Sequence, residues 1–238
     1  MALGLYSGTG FLKLPHPPIR LPILLVVENA ICAAWEILRT RPRPGFDLAT
    51  ATEDTITFEL QEALVDEVFS SGVVPGFDDE VFSIPEREAK VRSFDYGHLD
   101  KMPDLIIRLI GRPAGIRRTQ DGLFVECKPI DKKHPLREHY CTKGLLRFTT
   151  GQYAWAMSTA TMVGYSNADY GLSAKLTEVL NDWPTQGAKT ALSPCAGSKA
   201  GPNSEIVHLS EHPRTFKYVE TKRLAPNITI RHLWLRRD

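Results

Sequence analysis

Two short apolar segments, each interrupted by ionisable residues, constrain the fold of this chain most strongly. They are residues 102–107 (MPDLII) and 123–128 (LFVECK). Side chains alternate across a β-strand, so Glu126 and Lys128 are expected on one face, roughly 6.5 Å apart, and Cys127 on the other. An acid and a base therefore share one face of a strand that is otherwise apolar.

Residues 111–122 connect the two segments and contain three glycines and a proline, which predicts an antiparallel hairpin with a long loop. We predict strands over 104–110 and 122–128, with Asp104 opposite Glu126. This register is favoured because it gathers six apolar side chains on one face. They are Leu105, Ile107, Leu109, Leu123, Val125 and Cys127.

The same register brings Asp104, Glu126 and Lys128 together at one end of the opposite face, which is the candidate active site. Two carboxylates within a few ångströms repel each other unless a cation lies between them, and hard divalent metals such as Mg²⁺ take oxygen ligands. An adjacent lysine can orient a water on such a metal or, as the neutral amine, deprotonate it. The competing interpretation is an ordinary hairpin whose Glu126 and Lys128 form a solvated pair of little energetic value.

Pro103 and Asp104, followed by Glu126, Cys127 and Lys128, resemble the motif of the PD-(D/E)xK phosphodiesterases. This superfamily includes many restriction endonucleases, recombination nucleases and phage-defence nucleases. The resemblance implies that Asp104, Glu126 and the main-chain carbonyl of Cys127 bind one or two Mg²⁺ (or Mn²⁺) ions. It also implies that Lys128 positions the attacking water.

The family fold places a helix before the hairpin, often with a further acidic metal ligand. Residues 51–69 have helical periodicity, and Glu53 falls on the apolar stripe of that helix. An inward carboxylate is costly unless it meets a cation or a donor, so Glu53 is the chosen additional ligand and Glu59 the alternative. The competing interpretation is a capping box over residues 50–53, in which Glu53 only satisfies a backbone amide.

The order of predicted elements agrees with the αβββαβ core of that family. The elements are a helix over 51–69, a strand near 80–92, strands over 104–110 and 122–128, a helix over 147–160 and a strand over 161–166. The resemblance therefore implies an α/β, restriction-endonuclease-like fold, with a central mixed sheet flanked by helices. We expect one nuclease-like domain over residues 1–238, with an N-terminal extension (1–45), a catalytic core (50–166), a loop-rich insertion (167–205) and C-terminal strands (206–238). The last part is expected to form an outer hairpin of the sheet from strands 206–212 and 227–237.

The formal net charge is only +1, so contacts to nucleic acid must come from local basic clusters rather than from the whole surface. Four residues are the candidates: Arg118 in the hairpin loop, Lys132 and Lys133 just after the Glu126 strand, and Arg147. The competing interpretation is that these side chains belong to solvated loops.

The four cysteines are scattered without a CxxC pair, which favours neither a zinc ribbon nor a disulfide framework. Reduced thiols fit a cytoplasmic location. Residues 23–38 are mostly apolar, but they are too short and carry too many polar residues, including Glu28 and Glu36, to be expected to span a bilayer. We therefore expect a buried or partner-facing helix there, and no membrane contact.

Taken with the resemblance, these features predict a Mg²⁺-dependent deoxyribonuclease, as the effector of a phage-defence or restriction system. The sequence contains no Walker loop, so a partner protein is expected to supply any ATPase or targeting function. A homo-oligomer is compatible with this organisation. The alternative function is a non-catalytic structural or nucleic-acid-binding subunit that keeps the nuclease-like fold.

Overall fold

The computed structural model describes residues 13–167, 172–182, 192–199 and 206–238. Its helices are α1 (Leu21–Thr40), α2 (Glu53–Glu62), α3 (Leu146–Thr149) and α4 (Leu172–Asp182), with a 3₁₀ turn at Arg118–Gln120. A first π-helical segment, Ala63–Phe69, continues α2, and a second π-helical segment, Leu136–Leu145, leads into α3. The strands are β1 (Glu86–Arg87), β2 (Leu105–Ile107), β3 (Leu123–Ile130), β4 (Thr159–Ser166), β5 (Leu192–Lys199), β6 (Ile206–His212) and β7 (Ile228–Arg236).

The seven strands form one mixed sheet in the order β1-β2-β3-β4-β7-β6-β5. The first three strands pair antiparallel, β4 is parallel to both β3 and β7, and the last three pair antiparallel. The expected α/β class with a mixed sheet is therefore confirmed. So is the antiparallel pairing of the C-terminal strands, although β7 lies inside the sheet and β5 forms its outer edge.

The predicted register of the central hairpin is confirmed. Leu105 pairs with Val125 and Ile107 pairs with Leu123, which places Asp104 opposite Glu126 one step further along. All three residues of β2 and all eight of β3 are buried, so slipping the register by one residue would turn the apolar face away from its packing partners.

Helices cover both faces of the sheet. On the Cys127 face, Trp35 of α1 stacks on Tyr165 of β4 with 5.4 Å between ring centroids. On the opposite face lies the second π-helical segment, which approaches the sheet most closely at Gly144. A β-carbon there would lie 2.7 Å from Cε of Met162 and 3.5 Å from Cγ of Lys128, so only glycine allows this approach without a shift of the Met162 side chain.

The helix predicted over 147–160 is wrong. The helical segment begins earlier, at Leu136, and ends at Thr149, after which the chain turns through Gly151 with φ of +73°. The apolar residues that suggested a longer helix are buried in the turns before β4 instead, Tyr153 among them. A run of apolar residues indicates burial but does not distinguish a helix from a packed turn, so the apolar pattern over 147–160 led to the wrong prediction.

The strand predicted near 80–92 is reduced to β1, flanked by isolated bridges from Phe82 to Leu109 and from Val91 to Lys101. Glu88 adopts φ of +50°, which interrupts an extended strand. The region 167–205, predicted to be a loop-rich insertion, contains α4 and β5. Its residues 168–171, 183–191 and 200–205 lie outside the described residues.

Helix α1 is 20 residues long, and its length and composition would allow it to cross a membrane, contrary to the expectation from residues 23–38. Half of its most apolar stretch is buried inside the protein. Within it, Glu28 is 1% exposed and accepts hydrogen bonds from Nε and Nη2 of Arg231 on β7. This ion pair joins α1 to the middle of the sheet.

We expect Arg231→Met to lower the free energy of unfolding by about 3 kcal/mol, because it leaves the Glu28 carboxylate buried without its partner. The matched control is Arg41→Met, which removes a guanidinium 3.3 Å from Glu67 in an exposed pair and should cost under about 1 kcal/mol. Urea unfolding of both variants measures the difference. Equal losses would show that burial of the Glu28 pair adds nothing to its contribution.

Candidate active site

Four oxygen-bearing groups surround the ammonium of Lys128. Its Nζ lies 2.5 Å from Oε1 of Glu53, 3.0 Å from Oε1 of Glu126 and 3.7 Å from Oδ2 of Asp104. It also donates to the main-chain oxygen of Cys127 at 3.0 Å. The groups that the sequence pattern nominated from three separate segments therefore meet around one atom.

The backbone of β3 positions most of this cluster. Glu126 and Lys128 alternate with Cys127 along the strand, and Asp104 precedes β2 on its antiparallel partner. Oδ2 of Asp104 accepts a hydrogen bond from the Cys127 amide at 2.6 Å, which fixes the carboxylate against the strand. The Cys127 side chain is fully buried, and this burial raises the pKa of its thiol well above the usual range.

Glu53 is the first residue of α2, and its side chain points to Lys128 rather than to the helix backbone. The N-cap is Thr52, whose hydroxyl accepts from the amide of Thr55 at 3.2 Å, so the capping-box interpretation of Glu53 is wrong. The alternative ligand, Glu59, lies 3.6 Å from Nε of Arg43. The structure therefore brings Glu53, and not Glu59, to the ammonium.

Glu126 is held by two further side chains. It is fully buried, Oε1 accepts from Nη1 of Arg147 at 2.8 Å, and Oε2 accepts from the hydroxyl of Tyr153. The sequence nominated Arg147 for contact with nucleic acid, not for contact with Glu126. The turn at Gly151, which brings Tyr153 back towards Glu126, is the feature that the predicted helix over 147–160 concealed.

The cluster carries more negative than positive charge, because three carboxylates face the cations of Lys128 and Arg147. Burial raises the pKa of Asp104 to about 7, with Glu126 adding to the effect and Lys128 opposing it. Burial also lowers the pKa of Lys128, but Glu126, Asp104 and Glu53 outweigh it and raise that pKa above its usual range. Lys128 is therefore held in its charged form.

The chemistry of the donors fits a hard divalent cation, since they are carboxylate and carbonyl oxygens with an excess of negative charge. In the described part of the chain, however, no three His, Cys, Asp or Glu side chains are positioned together to hold a metal ion. Lys128 Nζ lies at the point where the oxygens of Glu53, Glu126 and Cys127 converge. The predicted ligands are assembled, with an ammonium between them.

The candidate nucleic-acid contacts divide into two groups. Lys132 and Lys133 are exposed in the turn after β3, at the end of the strand that carries Lys128. Arg118 lies before the start of β3, where its Nη2 donates to the carbonyl of Arg112 at 2.9 Å. Arg118 therefore lies beyond the opposite end of β3 from the cluster.

Sequence reasoning missed the basic side of the second π-helical segment. Partial burial lowers the pKa of His139. The nearby cations of Lys143 and Lys128 lower this pKa further, whereas Glu53 raises it, so the imidazole lies in the electrostatic field of the cluster. Lys143 is exposed. The four-residue spacing of His139, Lys143 and Arg147 was the signal available, since positions four apart share a helical face.

No protein-family model matches this chain, and comparisons with curated proteins and with solved structures gave no match either.

We expect Asp104→Asn to stabilise the protein at neutral and alkaline pH. The pKa of Asp104 is about 7 in the folded state and about 3.9 in an unfolded chain, so between these values the folded state binds more protons. Stability from this group therefore falls as pH rises from about 4 to about 7. In EDTA, Asp104→Asn should raise the free energy of unfolding at pH 8 by about 2–4 kcal/mol, and far less at pH 4.

The control for that measurement is Asp100→Asn, which changes an exposed carboxylate outside the cluster. Its stability should follow that of the unmodified protein within about 0.5 kcal/mol across the same pH range. A destabilising effect of Asp104→Asn at pH 8 would contradict the excess negative charge inferred for the site.

Proposed function

We propose that this chain is a Mg²⁺-dependent nuclease, also active with Mn²⁺, that hydrolyses phosphodiester bonds in DNA. The observation that carries the proposal is the convergence of Asp104, Glu126, Glu53 and the Cys127 carbonyl on the ammonium of Lys128. Carboxylates clustered beside a lysine suit metal-assisted attack of water on a phosphate. An ordinary solvated hairpin pair does not account for a Glu126 side chain that is fully buried.

The order of elements supports a restriction-endonuclease-like core. Helix α2 is followed by the antiparallel strands β1, β2 and β3, then by the helical segment ending in α3, and then by β4 parallel to β3. This is the αβββαβ order that the sequence resemblance implies. The site lies on the hairpin of β2 and β3, as it does in that family.

Each residue has a separate role in the proposed reaction. Asp104, Glu126, Glu53 and the Cys127 carbonyl would hold the metal, which when bound polarises the scissile phosphate and lowers the pKa of water. Lys128 supports the nucleophile and the negative charge that develops on the phosphate.

Arg147 and Tyr153 keep the Glu126 carboxylate in a fixed orientation through its two oxygens. Because the side chain of Arg147 is 35% exposed, its guanidinium is also accessible to a phosphate.

Basic side chains follow the carboxylate-bearing strand in the turn after β3, on the second π-helical segment and on α3, and we take them as the basic border of the proposed site. Lys132, Lys133 and Lys143 are exposed, and Arg147 is half-buried. We assign the phosphate backbone of the substrate to this border, because lysine and arginine contacts to phosphates supply most of the sequence-independent affinity for nucleic acid. Arg118 is left out of this surface because it lies beyond the far end of β3.

We further propose that the nuclease works in the cytoplasm as the effector of a phage-defence or restriction system. Cys127 and Cys141 are free, buried thiols, which suits a reducing compartment. A partner protein would supply targeting or ATP hydrolysis, and a homo-oligomer would allow cleavage of both strands.

The second candidate function is a non-catalytic structural or nucleic-acid-binding subunit. It is favoured by the position of Lys128, whose ammonium already neutralises part of the carboxylate cluster without a metal. In that case the cluster would be a structural ion network, and DNA would bind without being cut.

The decisive experiment incubates the purified protein with supercoiled plasmid and with single-stranded DNA, in Mg²⁺, Mn²⁺ or EDTA. We expect cutting that requires the metal and falls about 100-fold or more in Asp104→Ala and Glu53→Gln. Lys128→Ala should still bind DNA but cut it poorly. Glu59→Gln is the matched control for Glu53→Gln, because it changes a glutamate of the same helix outside the cluster, and its rate should stay within about threefold.

Two outcomes would contradict the assignment in different ways. Cutting that survives in Asp104→Ala would place the activity elsewhere in the chain. Tight DNA binding without cutting under any metal condition would favour the non-catalytic subunit.

A further inference from the structure

The position of Lys128 suggests how the proposed metal site is regulated. Its ammonium is almost fully buried and contacts Glu53, Glu126 and the Cys127 carbonyl at 2.5–3.0 Å, with Asp104 at 3.7 Å. These are the same groups that the sequence pattern nominates as ligands of a divalent metal. A cation therefore already occupies the point on which they converge, and it belongs to the chain itself.

An ammonium and a divalent metal cannot share this point. Mg²⁺ binds its oxygen ligands at about 2.0–2.1 Å, and like charges only a few ångströms apart repel strongly in a buried site. Either the metal stays out or the ammonium moves. The structure offers a direction for that movement, because the side chain of Glu53 is 36% exposed, whereas Glu126 is fully buried.

The carbon chain of Lys128 has less room to move than its ammonium. Lys128 lies on β3, whose residues are all buried, and Gly144 of the second π-helical segment is close enough that a β-carbon there would be 3.5 Å from Cγ of Lys128. Because the carbon chain is buried, an outward swing would involve the last carbons and the ammonium. The displaced Nζ would remain beside the carboxylates.

We propose that Lys128 is a built-in counterion that occupies the metal position of the resting protein, and that a divalent cation enters by displacing its ammonium. This inference rests on the proposed function. Lys128 would then have two opposite effects. In the resting state it weakens metal binding, and once displaced it lies next to the attacking water and supports cutting. Loss of Lys128 should therefore tighten metal binding while it abolishes cutting.

The test is the affinity for Mn²⁺ in the absence of DNA, measured by titration calorimetry or by the electron paramagnetic resonance signal of free Mn²⁺. We expect Lys128→Met to bind Mn²⁺ about tenfold tighter or more, because it removes a positive charge from the metal position. Lys217→Met removes an exposed lysine outside the cluster and its basic border and should change the affinity by less than about twofold.

A second measurement uses the unmodified protein, in case Lys128→Met fails to fold. The ¹⁵N signal of a buried, hydrogen-bonded lysine ammonium is observable by NMR, and titration with Mg²⁺ should shift or broaden it. The change should saturate together with the calorimetric binding curve. An ammonium signal that stays unchanged while Mg²⁺ binds would overturn the displacement.

The outcomes separate this inference from the proposed function. If the unmodified protein binds Mn²⁺ and cuts DNA but Lys128→Met binds no tighter, the counterion role is wrong and the nuclease stands. If neither protein binds Mn²⁺ and neither cuts, the nuclease proposal fails, and the counterion role fails with it.

Discussion

The site depends on the burial of charge in β3. A glutamate and a lysine on a strand whose residues are all buried would be costly alone, and the surrounding elements compensate for them. Glu53 of α2 approaches from one side, while Arg147 and Tyr153 approach Glu126 from the other. Helices α2 and α3 are therefore both anchored to β3 through ion pairs with Lys128 and Glu126.

Much of the site could be predicted because local rules determine it. Strand alternation placed Glu126 and Lys128 on one face, and the apolar pattern set the register that brings Asp104 opposite Glu126. The choice of Glu53 followed from the cost of an inward carboxylate. These inferences depend only on neighbours along the chain or across one pair of strands, and for such neighbours periodicity is informative.

The errors came from contacts between residues distant in sequence. Tyr153 reaches Glu126 because the chain turns at Gly151. This turn packs against Phe94 and Phe216, and Phe216 is 65 residues after Gly151. The position of Lys128 among four acceptors also depends on α2, which lies far ahead of it in sequence. No periodic pattern predicts such long-range contacts, so the sequence indicated the clustered oxygens but not the ammonium between them.

The place of β7 has a consequence for synthesis on the ribosome. Although it comes late in the chain, β7 lies in the interior of the sheet, bonded to β4 on one side and β6 on the other. Until residues 228–236 have emerged, β4 presents an open edge next to the strand that carries Glu126 and Lys128. A nascent chain therefore cannot complete the sheet that supports its charged cluster until β7 has left the ribosome.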